Sequence, residues 1–360
     1  MPHSFQRGRW LRLVPAGAAM CLSIATTLTP LMAGGPPFNE NGNQPNGRSV
    51  TRDTDADDRA EYPGLTIVAQ GNSTKAIRKQ AVGELPLNRM HPEAQRKSQS
   101  LVKNVGMFRR LPTISFECDP EIYRYFIKNP DVAVSTWRAM EISQFQLHES
   151  GGNQYRADAG DGSVGNVELL LQTPTETMIY CDGAFKSPLL PKPIVARSLM
   201  RLQTTFVKEN DGKIIGTHTG DVFVEFPSHT VEAVAKVIAP VSHSIADRNF
   251  KQMTLFVHLM SQAMARRPDW IEVVGNKLDG IPRQKQLEFL ELGAKSYADA
   301  QRRVANANGT APFSPDDVLS PFRQWSGDGA GLGQSQTPER PGAARVVQSS
   351  NKTEPATLQK

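Results

Sequence analysis

Met200-Arg201-Leu202-Gln203-Thr204-Thr205-Phe206, then Asn210-Asp211-Gly212, then Val222-Phe223-Val224-Glu225-Phe226 decide how this chain reads. Successive side chains of an extended strand point to opposite faces. Met200, Leu202, Thr204 and Phe206 therefore share one face, opposite Arg201, Gln203 and Thr205. Asn-Asp-Gly supplies the positive-φ residues of a tight hairpin, so residues 200–226 predict two antiparallel strands. Upstream the same period of two recurs. Gln144–His148 and Gln154–Asp158 flank Gly151-Gly152, and Val167, Leu169 and Leu171 alternate with polar or outward positions. Thr177–Cys181 predicts another strand, ending at the turn Asp182-Gly183, with a Pro-punctuated loop at 187–193. Downstream the period changes. Phe250, Met253, Val257, Met260 and Met264 step by three and four, which predicts a long apolar helix ending near Arg266-Arg267 before Pro268. Further helices are expected over 268–277 and 283–305.

The stretch before these strands is helical. Thr113-Ile114-Ser115-Phe116 reads as a short strand, followed by helices over 120–128 and 131–142, split at Asn129-Pro130 because proline terminates the first. Residues 74–110 predict short helices, the second opening at Pro92-Glu93. The expected fold is therefore α+β: a curved antiparallel sheet of about six to seven strands packed on a long C-terminal helix, helix-grip-like or half-barrel. Its core would span 111–280, with a C-terminal helix at 281–307.

The ends read differently from the middle. The chain has 360 residues, Lys+Arg 41 against Asp+Glu 36, a net charge of +5, and only 39% hydrophobic residues. Gly 28 and Pro 26 are at a level that points to unstructured stretches beside one folded unit. Residues 34–73 and 308–360 cannot bury enough apolar surface to offset their ordering entropy and are expected to be a disordered linker and tail. Phe322 and Trp325 are the tail's apolar spots. Arg7, Arg9 and Arg12, an uncharged stretch from Leu13 to Ala25 and the small Ala33 give residues 1–33 the layout of a signal peptide. The product would be exported to the periplasm, cell envelope or outside. A retained anchor, or a lipid on Cys21, is the alternative. No multi-span membrane protein, collagen or disulfide-dense scaffold is consistent with this composition. Charges of both signs are mixed, with no basic stripe, which argues against nucleic acid; a pI of about 9.1 suggests attraction to anionic surfaces. With Cys21 removed, Cys118 and Cys181 form an even pair, expected either to bridge or to stay as buried thiols.

Motifs of chemistry are sparse. Gly160-Asp161-Gly162-Ser163-Val164-Gly165 matches a dinucleotide fingerprint, but a strand rather than a helix follows, so it reads as a turn. Asp53, Asp55, Asp57 and Asp58 resemble a calcium loop, yet Arg59 and Gly64 occupy its glycine and glutamate places. His218 and Asp221 would point to opposite faces of a strand; His243 and Asp247 would face each other if the helix begins early enough to include both. Neither pair has a nucleophile or metal partner at a recognisable spacing, and Cys181-Asp182 lacks a placed histidine. No cofactor or metal is expected, and no catalytic residue is assigned. Trp137, Met200, Phe206, Phe223, Met253, Val257 and Met260 are the candidate ligand-lining residues, either around a cavity or in an ordinary core.

The order of elements, with Asp119-Pro120-Glu121-Ile122-Tyr123-Arg124-Tyr125-Phe126 and then Asn129-Pro130-Asp131 up to Trp137, resembles the opening of START and polyketide-cyclase-like proteins. That resemblance implies a helix-grip fold, with a cavity for an apolar ligand between the curved sheet and the long helix. The loop at 187–193 and the helices after Pro268 depart from that plan. Half-barrel lipoprotein carriers share the antiparallel run and the export address. The leading expectation is an exported, non-enzymatic protein that binds an apolar or amphipathic ligand such as a lipid. A solid-cored envelope interaction module is the alternative, and a hydrolase the third reading.

Overall fold

The computed structural model describes residues 62–308, apart from 161, 186–193, 211 and 228. The expected signal peptide, most of the linker, the proline-rich loop and the tail lie outside the described residues. The rest is α+β, built on a nine-stranded antiparallel sheet. The strands are β1 (Leu65–Ala69), β2 (Met107–Arg110), β3 (Thr113–Glu117), β4 (Gln146–Gly151), β5 (Gln154–Asp158), β6 (Val164–Gln172), β7 (Glu176–Phe185), β8 (Ile194–Lys208) and β9 (Ile214–Glu225). The helices are α1 (Lys75–Gly83), α2 (Pro92–Lys103), α3 (Pro120–Lys128), α4 (Pro130–Ala139), α5 (His229–Arg266), α6 (Pro268–Asn276) and α7 (Arg283–Asn308).

The predicted meander is present. β4 to β9 follow one another across the sheet, and β9 returns to pair with β3, which precedes the two helices α3 and α4. β2 and β3 lie end to end along one edge of β9: Met107 to Arg110 pair with Val224 to Asp221, and Ile114 to Glu117 with His218 to Ile215. Pro112 stands at the break between them, where it has no N–H to give the ladder. Leu111 still donates to the Gly220 carbonyl at 2.7 Å, and a Cβ at Gly220 would lie 2.9 Å from the Leu111 side chain.

Several expectations are corrected. Leu65–Ala69 falls inside the stretch read as linker, yet it pairs with β3 as an edge strand. The span 74–110 holds β2 as well as short helices. Asp182-Gly183 is not a turn: β7 runs through it, with Asp182 opposite Arg197 and Gly183 opposite Ala196. Pairing along the whole neighbouring strand outweighs the local turn preference. The long helix starts at His229, well before its apolar stripe. The helix expected at 281–307 joins the main core through Phe289, Leu290, Ala294 and Ala298. Lys285 pins it further by reaching both Asp131 and Glu149 at 2.8 Å.

Both faces of the sheet are covered. Val222, Val224, Met200 and Leu202 pack with α3, α4, α5 and the later helices in one cluster. Phe223, Leu199, Met178 and Phe108 pack with Ala81 and Leu101 of α1 and α2 in a second. An ion-pair network lies beside this second layer. Glu176 accepts from Arg89 and Arg201 at 2.6 Å each, and Asp221 accepts from Arg110 at 2.7 and 2.9 Å. Arg201 and Arg110 both reach Glu84 at 3.3 Å, tying the residue just after α1 to the sheet. Removing one member of a buried pair strands its partner. Glu176→Ala is expected to lower unfolding free energy by about 3–5 kcal/mol, read from urea denaturation.

Of the two cysteine alternatives the structure takes the second, since Cys118 and Cys181 are both buried and not bridged to each other. Cys118 donates its N–H to Ile214 at the start of β9, whereas Cys181 lies opposite Ser198, which pairs with Val224 near the end of that strand. At ~3.3 Å per residue these levels are roughly 30 Å apart along the strand, against the ~7 Å limit between bridged Cα atoms. Both thiols should therefore alkylate in denaturant without prior reduction, as peptide mass spectrometry would show.

Candidate functional site: the sheet face beneath the long helix

His218 sits at the centre of the face covered by α5. Its ring stacks on Phe250 with centroids 4.5 Å apart, and its Nε2 lies 2.7 Å from Thr254 Oγ1. The Thr254 hydroxyl donates to the Phe250 carbonyl at 2.8 Å, so it accepts from Nε2–H and leaves Nδ1 bare. Nδ1 lies 3.4 Å from the Tyr123 hydroxyl, which in turn lies 2.5 Å from Thr204 Oγ1. A chain of neutral polar groups thus links β8, α3, β9 and α5. Burial pushes the imidazole down to about 3 and the Tyr123 phenol well above its ordinary range. A histidine so reluctant to take a proton holds these elements together and is a poor general base.

Next to Tyr123 and Thr204 a pocket of about 340 Å³ opens between the end of α3 and the β6–β7 turn. A second hollow of about 430 Å³ lies between the β8–β9 turn and the ends of α5 and α7, with Glu117, Asp119, Lys213, Arg266 and Arg303 on its walls. Among the described residues, buried polar atoms without a partner include Ser198 Oγ on β8 and, on α5, Ser242 Oγ, Arg248 Nε and both amide atoms of Asn249. Buried polar groups are nearly always paired, so Ser198, Ser242 and Asn249, all on the side of the sheet that carries the long helix, stand out.

The candidates from sequence fall as follows. Met200, Val257, Met260 and Trp137 are buried in the main core, Trp137 with its ring 5.4 Å from Phe256; Met253 and Phe206 are half-buried. Phe223 does not belong with them, because it faces the opposite layer, 5.1 Å from Phe108. Val222, Phe223 and Val224 are all apolar, so their composition did not reveal which faces which layer. His218 and Asp221 do point to opposite faces. His243 and Asp247 lie on one stretch of α5, but the carboxylate binds Arg109, with Nε 3.0 Å from Oδ1. Arg109 also donates to Ser73 Oγ at 3.3 Å, and that oxygen is 3.4 Å from each His243 ring nitrogen. Burial and the nearby Arg109 charge lower the His243 pKa. With Asp247 held by arginine, no carboxylate among the described residues orients the imidazole towards Ser73, so the cluster does not have the arrangement of a catalytic triad. Of the Gly160–Gly165 motif, Gly160 and Gly162 lie between β5 and β6 at φ 76° and 96°, and Val164 and Gly165 open β6. Among the described residues no group of His, Cys, Asp and Glu could hold a metal, and no helix is long and apolar enough to cross a membrane.

Tyr123, Ser198, Ser242 and Asn249 were not singled out from sequence. Each is a polar residue within an apolar pattern, a signal that becomes informative once its burial is known.

No family model matches the chain, and no curated protein matches it. Among solved structures, a conserved protein from Geobacillus kaustophilus aligns at 14% identity over 39% of this chain and 91% of its own, with a TM-score of 0.27. A protein from Rhizobium leguminosarum aligns at 14% identity over 41% and 94%, with a TM-score of 0.23. At these scores neither likeness bears on function.

His218 makes the fold acid-sensitive in a defined window. The unfolded chain takes up this proton near pH 6.5 and the folded protein only near 3, so the contribution is intact above pH 6.5 and is lost as pH falls towards 3. From this group alone, the protein should be about 2–3 kcal/mol less stable at pH 4.5 than at pH 7.5. Urea midpoints at both pH values should show a smaller difference in His218→Gln; an undiminished difference would refute the assignment.

Proposed function

We propose that this is an exported, non-enzymatic protein that holds an amphipathic ligand, such as a lipid, between the long helix α5 and the sheet. The observation carrying the proposal is the set of unpartnered polar atoms on Ser198, Ser242 and Asn249. Ser242 and Asn249 are seven residues apart, two turns along one side of α5, in a stripe with the buried Ala246, Phe256 and Met260. Ser242 lies eight residues before Phe250, a rise of about 12 Å, which equals about four residues of strand. With Phe250 stacked on His218, and Ser261 near Asp119 at the far end, that places Ser242 and Asn249 over the β9 stretch between His218 and Val224. Ser198 is the cross-strand neighbour of Val224 and of Cys181 on the same apolar face. Each unpaired buried group costs about 1–3 kcal/mol in the empty protein. A ligand bringing its own donors and acceptors, with an apolar body against Met200 and Met253, would recover that cost.

The export part rests on the layout of residues 1–33. Resemblance to START-like proteins, whose plan has a ligand between sheet and long helix, agrees with this reading and adds the expectation of an apolar chain. Native mass spectrometry of the secreted protein, followed by denaturing lipid extraction, tests it. Extra mass that extracts as lipid is the expected result. A clean apoprotein mass with no uptake from a lipid mixture would refute the carrier reading and favour a solid-cored interaction module. Asn249→Leu should stabilise the empty protein by about 1–2 kcal/mol while abolishing ligand retention.

A further inference from the structure

We infer that the pocket between α3 and the β6–β7 turn is a second binding site, for a small organic anion with an apolar body, independent of any ligand beneath the long helix. Its walls are pre-set. Within the turn, Thr173 donates its backbone N–H and its hydroxyl to the Glu176 carbonyl at 2.8 and 3.0 Å, and Thr173 Oγ1 accepts from the Glu176 N–H at 2.9 Å. The Thr204 N–H holds the Thr175 carbonyl at 2.8 Å, while the Gln172 side chain donates to the Ile127 carbonyl at 3.3 Å and fastens the turn to the helix. A pocket braced in this way loses little freedom when it is filled.

The unpaired charges around it have one sign. Arg124 and Lys128 stand four residues apart on α3, on the same side of the helix, and neither has a carboxylate partner among the described residues. Arg124 lies over the Phe206 ring, 5.4 Å from its centroid, a contact that orients the guanidinium without neutralising it. Glu176 is the one carboxylate among the described lining residues, and its oxygens are already held by Arg89 and Arg201 at 2.6 Å. The Tyr123 and Thr204 hydroxyls at the inner end satisfy each other. What remains open is a pair of cations at the rim above the apolar surface of Ile127, Leu202 and Pro174. About 340 Å³ accommodates on the order of ten heavy atoms. These features match a short monocarboxylate with its carboxylate at the rim. The hollow near Cys118 has walls of both charges and selects neither. The Ser73–Arg109–Asp247 cluster is satisfied internally.

Calorimetric titration with hexanoate and with 1-hexanol, on protein as purified, tests the site. Hexanoate is expected to bind saturably and at least about tenfold more tightly than the alcohol, in keeping with a charged hydrogen bond. Affinity should fall about tenfold in Arg124→Ala/Lys128→Ala and vanish in Thr175→Trp, an exposed turn position whose new ring blocks the pocket, with near-UV circular dichroism confirming the fold. Asn249→Leu should leave hexanoate binding unchanged, whatever becomes of the ligand beneath α5. Equal binding of the alcohol, no saturable binding, or unchanged affinity in the rim variants would each overturn the inference. Loss in Asn249→Leu with retention in the rim variants would assign hexanoate to the face beneath the long helix and overturn it as well.

Discussion

From Gly220 to Glu225 strand β9 is buried on both of its faces, and the other layers of the protein take their position from that constraint. Its inward side chains, His218, Val222 and Val224, meet the long helix and the helices behind it. Its outward ones, Asp221 and Phe223, meet Arg110 and the α1–α2 layer. Its edges are taken by β8 on one side and by β2 and β3 in succession on the other. A strand with its faces and edges all occupied has no register to slip into, because a one-residue shift would put Asp221 and Phe223 where Val222 and Val224 pack.

The two layers differ in how their polar groups are paired. On the outward side, Glu176, Arg201, Asp221 and Arg110 are matched charge for charge, which lets ionic groups sit close to an apolar cluster. On the inward side the His218 chain is neutral and satisfied, yet Ser198, Ser242 and Asn249 remain unmatched. The same sheet thus carries one face that is complete in itself and another with unused hydrogen-bonding capacity. A ligand is expected on the second kind of face.

Legibility in the sequence followed apolar contrast. The strands from β4 to β9 and the helices α3 and α4 could be read because apolar residues recur with period two or bracket a proline. β2 was missed because Arg109 and Arg110 look like solvent-facing residues, whereas both are strand residues paired with Asp247 and Asp221. β1 was missed because five residues after a polar stretch give too little pattern to separate a strand from linker. Phe223 reads as a lining residue, although strand register sets it opposite Val222 and Val224, because both neighbours are equally apolar. The site residues were harder still. Tyr123 and Thr204 owe their interest to a contact between elements 81 residues apart, which no local spacing encodes.

The two unbridged cysteines fit the same account of stability. A bridge is most needed where a small domain cannot bury enough core, and here the two clusters flank a nine-stranded sheet. Burial pushes the Cys118 thiol up to about 12, despite an opposing hydrogen bond from the Gly216 backbone. At neutral pH almost none of it is thiolate, the form that attacks disulfides and oxidants. A Cβ at Gly216 would lie 2.8 Å from its sulfur, so the side chain is wedged against the sheet as a small apolar group. Such a thiol can pass through an oxidising compartment unchanged, and the proposed export therefore requires no bridge.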